Sequence, residues 1–243
     1  MSLEDQIGQF PEGIESSDVK ELREAMIRLQ KQLKKAKERT EDLVASAYQG
    51  AHDAMIALRG VPLVKEPTMD KRRSKAEVAL WHMTDWQGAK QTTTYNSEIM
   101  RKRVMEFCEK AVRITEIQRA DHPVRDCVIM FGGDMVEGLF NFATQVFEID
   151  STLFEQYVNV SRLCVDVVRY ALTHYEKVTV VAEWGNHGRI GSKRDNVPRS
   201  DNFDRMCYEL ARQLLQGEKR LVWQDCPEDI QRVEIGSYRA LLI

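Results

Sequence analysis

The stretch Cys127-Val128-Ile129-Met130-Phe131-Gly132-Gly133-Asp134 joins five apolar residues directly to a glycine pair and an aspartate. A short apolar run that ends at glycine predicts a buried strand followed by a loop. Upstream, Val78-Ala79-Leu80 precedes Thr84-Asp85-Trp86-Gln87-Gly88, and downstream, Val178-Thr179-Val180-Val181-Ala182 precedes Trp184-Gly185-Asn186-His187-Gly188. In layered α/β folds active sites lie at the edge where strands end, so the three loops predict one common site.

The polar side chains of these loops include Asp85, Asp134, Asn186 and His187. Carboxylate and amide oxygens are ligands of hard divalent cations, and imidazole is a ligand of borderline ones. The alternative is that loop Asp and Asn side chains only cap turns and helices. Three such loops, each directly after a predicted strand, favour a metal site over three unrelated caps.

The order of the three motifs resembles that of a known superfamily. Asp85-Trp86-Gln87-Gly88, Gly133-Asp134-Met135-Val136-Glu137 and Gly185-Asn186-His187 are similar to the Asp-x-His, Gly-Asp-x-x-Asp and Gly-Asn-His motifs of calcineurin-like metallophosphoesterases. The resemblance runs from about Val78 to at least Arg189. The first motif looks like that of members encoded by tailed phages. By chemistry, the nearest well-understood relatives are the exonuclease subunits of double-strand-break repair complexes.

This resemblance implies a role for each of four residues. Asp134 would bridge two metal ions, Asp85 would bind the first ion, and Asn186 would bind the second through its amide oxygen. His187 would face the leaving group, as a general acid or as a charge donor to the phosphate, because its pKa lies near neutrality. Two divalent metal ions are expected, with Mn²⁺ favoured over Mg²⁺, Zn²⁺ or Fe.

Two positions depart from the pattern of the superfamily. Gln87 stands where many relatives have His, so the first metal site is expected to be weaker and to prefer the harder ions Mn²⁺ and Mg²⁺. The alternative is that Gln87 is a loop side chain without metal contact. Glu137 stands where the second Asp of the middle motif is usual, and it can still support a ligand or accept a hydrogen bond.

The end of the chain departs further. The superfamily completes its site with later His residues, whereas this sequence has no His after His187. The run Arg239-Ala240-Leu241-Leu242-Ile243 reads as a strand about to reach the active-site edge. We therefore expect a phosphoesterase domain that is truncated at its C-terminus. The alternative is a degenerate, inactive member.

Composition limits the class of protein. The 243 residues carry 35 Lys and Arg against 38 Asp and Glu, so no global positive field marks a nucleic-acid binder, although a local basic rim would suffice. The five Cys residues have no paired spacing and are expected to be reduced in a cytoplasmic protein, in the host cytoplasm if phage-encoded. No apolar run is long enough to span a membrane, and the N-terminus, with Glu4 and Asp5 and no apolar run, is not expected to act as a signal peptide.

Residues 1–59 predict a helical, coiled-coil segment. Its apolar positions recur at steps of three and four, at Val19, Leu22, Met26, Leu29, Leu33, Ala36, Thr40, Leu43 and Ala47. Sustained heptads need a partner helix, so we expect a homo-oligomer; the alternative is a single helix that lies across its own domain. Glu24 and Arg28 are spaced as an i,i+4 ion pair.

Residues 60–75 predict a linker, and residues 76–243 predict the metallophosphoesterase domain. Its helices are expected to begin at a Ser97 cap, to run from Thr152 to about Tyr175, and to run from 201 to 215. Late strands are expected at 221–224, 231–235 and 238–243. The predicted fold is α/β, a layered metallophosphoesterase-type β-sandwich flanked by helices.

Two segments near the motifs bear on the substrate. Arg189, Lys193 and Arg194 form a basic loop that can contact a nucleic-acid backbone, or can be solvated beside neighbouring Asp residues. Phe140, Phe142 and Phe147 can stack on bases, or can pack as a hydrophobic lid.

These features lead to one favoured function and two rivals. The favoured function is metal-dependent hydrolysis of phosphodiester bonds, with DNA as the substrate. The first rival is a phosphatase or cyclic-nucleotide phosphodiesterase that acts on small substrates, since one fold hosts many substrates. The second rival is a catalytically impaired scaffold that assembles a complex through its N-terminal helix.

Overall fold

The computed structural model describes residues 24–28, 31, 49, 61–72, 75–139, 145–191, 201–225 and 230–243. The chain divides into two units, Met1–Gly50 and Ala51–Ile243. In the first unit residues 24–28 are helical, and Arg28 lies 3.5 Å from Glu24, which confirms the predicted ion pair. Nearly all of the predicted coiled-coil segment lies outside the described residues.

A parallel four-stranded sheet forms the centre of the second unit. Its strands are β1 (Glu77–Met83), β2 (Val124–Phe131), β3 (Lys177–Ala182) and β4 (Leu221–Trp223). They are hydrogen-bonded in the order β1-β2-β3-β4, and every pairing is parallel. All four carboxyl ends therefore lie at the same edge, and the predicted α/β class is confirmed at this level.

Three helices connect the successive strands: α1 (Ser97–Gln118), α2 (Leu153–His174) and α3 (Phe203–Leu214). They bury one face of the sheet. On that face the Trp81 ring meets Phe107 of α1 edge-on at 6.2 Å, and the Phe131 ring stacks on Tyr208 of α3 at 5.6 Å. Aromatic contacts of this kind anchor helices on a sheet.

The starts of two helices differ from the prediction, which placed a cap at Ser97 and the start of the third helix at 201. Asn96, not Ser97, caps α1, and its Oδ1 accepts a hydrogen bond from the Ile99 N–H at 2.9 Å. Ser97 is already inside the helix, and its N–H and hydroxyl both donate to the carboxylate of Asp150. Helix α3 is capped by Asn202 and begins at Phe203, because the Asn202 side chain accepts from the Asp204 N–H.

Helix α2 begins with a reciprocal pair of hydrogen bonds. The Thr152 hydroxyl accepts from the Glu155 N–H, and the Glu155 carboxylate accepts from the Thr152 N–H at 2.8 Å. This capping box confirms the predicted start of the helix.

The opposite face of the sheet is covered by a two-stranded hairpin of β5 (Gln231–Ile235) and β6 (Tyr238–Leu242). Val233 and Leu242 of the hairpin pack against Val128, Met130 and Val181 of the sheet. The two late strands and the turn between them are where the sequence predicts them.

Residues 61–72, within the predicted linker, contain no helix or strand. They hydrogen-bond to the domain, because the Val64 N–H donates to Glu218 and the Asp70 N–H donates to Glu176 at 2.8 Å. Cys108, Cys127, Cys164 and Cys207 are free and buried, and Cys226 lies outside the described residues. None of the described helices has the length and apolar character needed to cross a membrane.

Candidate active site

The first two motif loops pair with each other at the carboxyl edge of the sheet. The Asp85 N–H donates to the Gly133 carbonyl at 3.1 Å, and the Gln87 N–H donates to the Asp134 carbonyl at 2.9 Å. A parallel bridge between Gly88 and Val136 continues this pairing beyond the strands. The structure therefore brings the backbones of Asp85, Gln87 and Asp134 together.

The third loop meets the second through the side chain of Asp134. The His187 N–H donates to Asp134 Oδ1 at 2.7 Å. Asn186, directly before His187, is exposed at the same edge. The four residues to which the resemblance assigned a role, and Gln87, thus lie on adjoining loops, while their roles stay predictions.

Three of the predicted ligands have unusual backbone conformations. Asp85, Gln87 and Asp134 have φ values of 56°, 44° and 54°, in the left-handed region that side chains with a Cβ disfavour. Such a conformation costs of order 1–3 kcal/mol, and it persists at sites where the surrounding contacts impose it. Among the described non-glycine residues only Lys75 and Ala89 share positive φ, so the strain is concentrated in these loops.

Gly185 allows the close approach of Asp134 to the third loop. A Cβ built on Gly185 would lie 2.0 Å from Asp134 Oδ1. Gly133 is similarly restricted, since its φ is +87° and its Cβ would lie 2.3 Å from the Gly185 nitrogen. The two loops pack backbone to backbone because both positions lack a side chain.

The buried carboxylate of Asp204 joins the second and third loops. It accepts hydrogen bonds from the N–H groups of Asp134 (2.8 Å), Met135 (3.0 Å), Val136 (3.1 Å) and Gly185 (2.9 Å). Burial raises the pKa of Asp204 to about 6, against the opposing effect of these hydrogen bonds. Asp204 therefore sets the relative position of the loops that carry Asp134 and Asn186.

Sequence reasoning missed the role of Asp204, which it placed only in a predicted helix. The available signal was an Asn-Phe-Asp sequence at the start of that helix, and Asn202 also contributes. Its Nδ2 donates to the Gly185 carbonyl at 2.8 Å while its Oδ1 caps the helix at the Asp204 N–H. The N-terminus of α3 is thereby attached to the third loop.

His187 and Glu137 form a partly buried pair. His187 Nδ1 lies 3.3 Å from Glu137 Oε2 and 3.1 Å from the Glu137 carbonyl oxygen. The hydrogen bond to Glu137 raises the pKa of His187, and burial opposes this effect. Burial acts to raise the pKa of Glu137, but the hydrogen bond and the charge of His187 outweigh it, so the pKa is lowered. The pair favours a protonated imidazole beside a carboxylate.

Two further side chains hold Glu137 in place. Lys90 Nζ lies 3.4 Å from Glu137 Oε1, and Gln145 Nε2 donates to the Glu137 carbonyl at 2.8 Å and to Oε1 at 3.3 Å. Glu137 is 1% exposed, so these partners offset the cost of burying its charge. The roles of Lys90 and Gln145 were not predicted, since neither belongs to a motif.

The chemistry of the donor set suits hard divalent cations. Asp85, Gln87, Asp134 and Asn186 offer carboxylate and amide oxygens, which Mg²⁺ and Mn²⁺ accept alongside bound water. Asp85 Oδ2 also accepts from the Thr84 hydroxyl at 2.7 Å, which orients it. Within the described ranges, no group of three or more His, Cys, Asp or Glu side chains is placed to hold a metal ion. By donor chemistry alone, the set is that of a weak, oxygen-rich site.

The structure describes only part of the predicted substrate surface. Arg189 is partly exposed next to the site, in a bridge with Asn202, whereas Lys193 and Arg194 lie outside the described residues. Phe147, at the end of a 3-10 turn (Gln145–Phe147), is 85% exposed. Phe140 and Phe142 also lie outside the described residues.

Comparison with known proteins gives little further information. No protein-family model matches the chain, and no curated protein matches it significantly. A solved structure, the crystal structure of phosphopantetheinyl hydrolase from Mycobacterium tuberculosis, is similar over 68% of this chain, with 16% identity and a TM-score of 0.28. The matched part spans 41% of that protein. A TM-score of this size does not establish a common fold.

Proposed function

We propose that this protein is a metal-dependent phosphoesterase of the calcineurin-like type, similar to phage-encoded members, that hydrolyses phosphodiester bonds in DNA. One observation carries the proposal. Asp134, held in a left-handed conformation, presses its carboxylate against Gly185 and the His187 N–H where three motif loops meet. A strained carboxylate at the carboxyl edge of a parallel sheet is typical of a functional site.

In the proposed mechanism Asp134, Asp85, Gln87 and Asn186 would hold two divalent ions, with Mn²⁺ favoured. Bound ions of this kind lower the pKa of a water nucleophile and neutralise charge on the phosphate. Glu137 keeps a proton on His187 Nδ1 and orients the ring. The imidazolium then stabilises the phosphate and gives a proton to the leaving oxygen.

The DNA substrate is supported by two features beside the site. Phe147 presents an almost fully exposed aromatic ring, which suits stacking on a base. Arg189 adds positive charge for a phosphate contact. A higher kcat/KM on single-stranded DNA than on p-nitrophenyl phosphate or a cyclic nucleotide would support this choice, and the reverse order would favour a small-substrate enzyme.

The decisive experiment is hydrolysis of bis-p-nitrophenyl phosphate with added Mn²⁺. Asp134→Asn should lower kcat by roughly 100-fold or more, and His187→Gln should lower it by roughly 100-fold. Asp126→Asn, an exposed aspartate on the same strand β2, is the matched control and should retain activity. A parent protein without Mn²⁺-dependent hydrolysis, or an active Asp134→Asn variant, would contradict the proposal.

The finer architecture belongs to the same proposal. The hairpin on the second face supports a β-sandwich, and the heptads support a coiled-coil homo-oligomer. The four described cysteines are free, which suits the proposed cytoplasmic location. Light scattering should give a mass of at least twice 28.1 kDa. Leu22→Glu combined with Leu29→Glu should reduce the mass to that of a monomer, while Lys31→Glu should not.

A second candidate is a catalytically impaired scaffold. It is favoured by the lack of a group of three strong metal ligands among the described residues. An oligomer whose thermal unfolding temperature is unchanged by millimolar Mn²⁺ would support the scaffold. A Mn²⁺-dependent rise that Asp134→Asn abolishes would exclude it, because a ligand that binds only the folded state raises stability.

A further inference from the structure

A recess lies next to the candidate site, between α3 and the carboxyl ends of β3 and β4. It has a volume of about 300 Å³. Its lining includes Trp184, Arg205, Tyr208, Arg212, Trp223 and Gln224. This volume is at the lower end of the range for small-molecule sites, and such sites are mainly aromatic with a few polar groups.

Trp184 gives the recess an aromatic wall. The residue is 6% exposed, and its Nε1 is buried without a hydrogen-bond partner among the described residues. The guanidinium of Arg205 lies 5.7 Å from the centre of the indole ring.

The charges of the lining nearly balance. Arg212 Nη1 lies 2.6 Å from Asp225 and 3.8 Å from Glu209, and both acids also line the recess. Two arginines opposed by two carboxylates do not form an anion site. The recess therefore suits an uncharged planar ring with polar edge atoms better than it suits a phosphate group.

The recess adjoins the candidate metal ligands along the chain. Trp184 precedes Gly185, and two residues span at most about 7 Å, so the Cα atoms of Trp184 and Asn186 lie within that distance. Arg205 follows Asp204, whose carboxylate accepts from the Gly185 N–H at 2.9 Å. A ring in the recess and a phosphate at the motif loops can belong to one nucleotide unit.

We propose that this recess, resting on the proposed phosphoesterase function, binds a nucleobase of the substrate next to the scissile phosphate. The base lies among the aromatic rings of the lining, beside the guanidinium of Arg205. Contacts of this kind favour a nucleotide substrate over a simple phosphate ester.

The test measures binding without catalysis. Fluorescence anisotropy in EDTA compares a labelled eight-residue oligothymidylate with an abasic strand of the same length and label. The parent should bind the oligothymidylate roughly tenfold more tightly than the abasic strand, as base–aromatic stacking predicts. Arg205→Ala and Trp184→Phe should reduce this ratio to below threefold. Arg113→Ala, an exposed arginine of α1 outside the recess, should leave it unchanged.

Equal affinity of the parent for the two strands would overturn the inference, as would an unchanged ratio in both recess variants. Competition by thymidine monophosphate identifies a free nucleotide as a second source of the base. Base-dependent binding without Mn²⁺-dependent hydrolysis would contradict the phosphoesterase function alone. Hydrolysis without base-dependent binding would contradict the recess alone.

Discussion

The His187 N–H donates a 2.7 Å hydrogen bond to Asp134 Oδ1. The carboxylate expected to bridge two metal ions is therefore also an internal contact between the second and third motif loops. Because one side chain serves both purposes, changes near Asp134 should alter metal binding and loop geometry together.

Gly185→Ala should disable the site through geometry alone. The new methyl group would lie 2.0 Å from Asp134 Oδ1, so the carboxylate or the loop has to move. We expect kcat with Mn²⁺ to fall by roughly 100-fold, because small displacements of reacting groups lower rates by about that factor. We also expect the free energy of unfolding to fall by about 2 kcal/mol. Gly217→Ala, whose nearest neighbour is the end of the flexible Leu63 side chain at 3.2 Å, is the control. Full activity of Gly185→Ala would refute the close contact.

Asp204→Asn should destabilise the protein without removing a predicted metal ligand. The amide turns one acceptor oxygen into a donor, which then faces backbone N–H groups in a buried position. We expect a loss of about 3 kcal/mol in the free energy of unfolding, measured by urea denaturation. Asp201→Asn, an exposed residue just before α3, should change stability by less than about 0.5 kcal/mol. Equal effects of the two substitutions would argue against the role of Asp204.

The pair of His187 and Glu137 should make stability depend on pH in EDTA. The pKa of His187 is raised above its ordinary 6.5. Its contribution to the stability of the folded state is therefore complete below pH 6.5 and is lost as pH rises through the pKa of the folded state. The pKa of Glu137 is lowered below 4.5, so its contribution is present above pH 4.5 and is lost as pH falls through the folded pKa. The stability difference between parent and His187→Gln should be largest between about pH 4.5 and 6.5 and should shrink toward pH 8.5.

His174 provides the control for this pH series. Burial lowers the pKa of His174, so its protonation on acidification should weaken the fold. The difference in the free energy of unfolding between the parent and His174→Gln should therefore change with pH in the opposite direction. A pH-independent difference for His187→Gln would show that the ion pair does not form.

Thr152→Ala tests the start of helix α2 without touching the site. The substitution removes both hydrogen bonds of the Thr152 hydroxyl in the capping box. We expect a loss of about 1 kcal/mol by urea denaturation and an unchanged kcat. Ser151→Ala, one position earlier, is the matched control and should lower the free energy of unfolding by a smaller amount.

The three motif loops could be predicted because each signal is local. An apolar run such as Val128–Phe131 followed by glycine indicates a strand end wherever the rest of the chain lies. Parallel strands then bring their carboxyl ends to one edge, so Asp85, Asp134 and His187 were expected near each other. The cap of α1 was assigned to Ser97 instead of Asn96, because both side chains suit a cap and only the fold places Asp150 beside Ser97.

Asp204 could not be assigned from the sequence. Its contacts with Asp134 and Gly185 span 70 and 19 positions, and an Asp near the start of a helix is ordinarily explained by the helix dipole. The same holds for Lys90 and Gln145, whose contacts with Glu137 depend on how the first and second loops pair. Buried polar contacts between distant segments leave no periodic pattern.

The sequence by itself determined the alternation of strands and helices, the three motif loops and the donor atoms they carry, because periodicity, glycine and side-chain chemistry are local properties. Only the tertiary structure decided that Asp134 is left-handed and rests on Gly185, that Asp204 joins two loops, and that Trp184 and Arg205 border a recess beside the site. These features depend on hydrogen bonds and packing between segments far apart in the chain. Such contacts form only when the parallel sheet brings its carboxyl ends together.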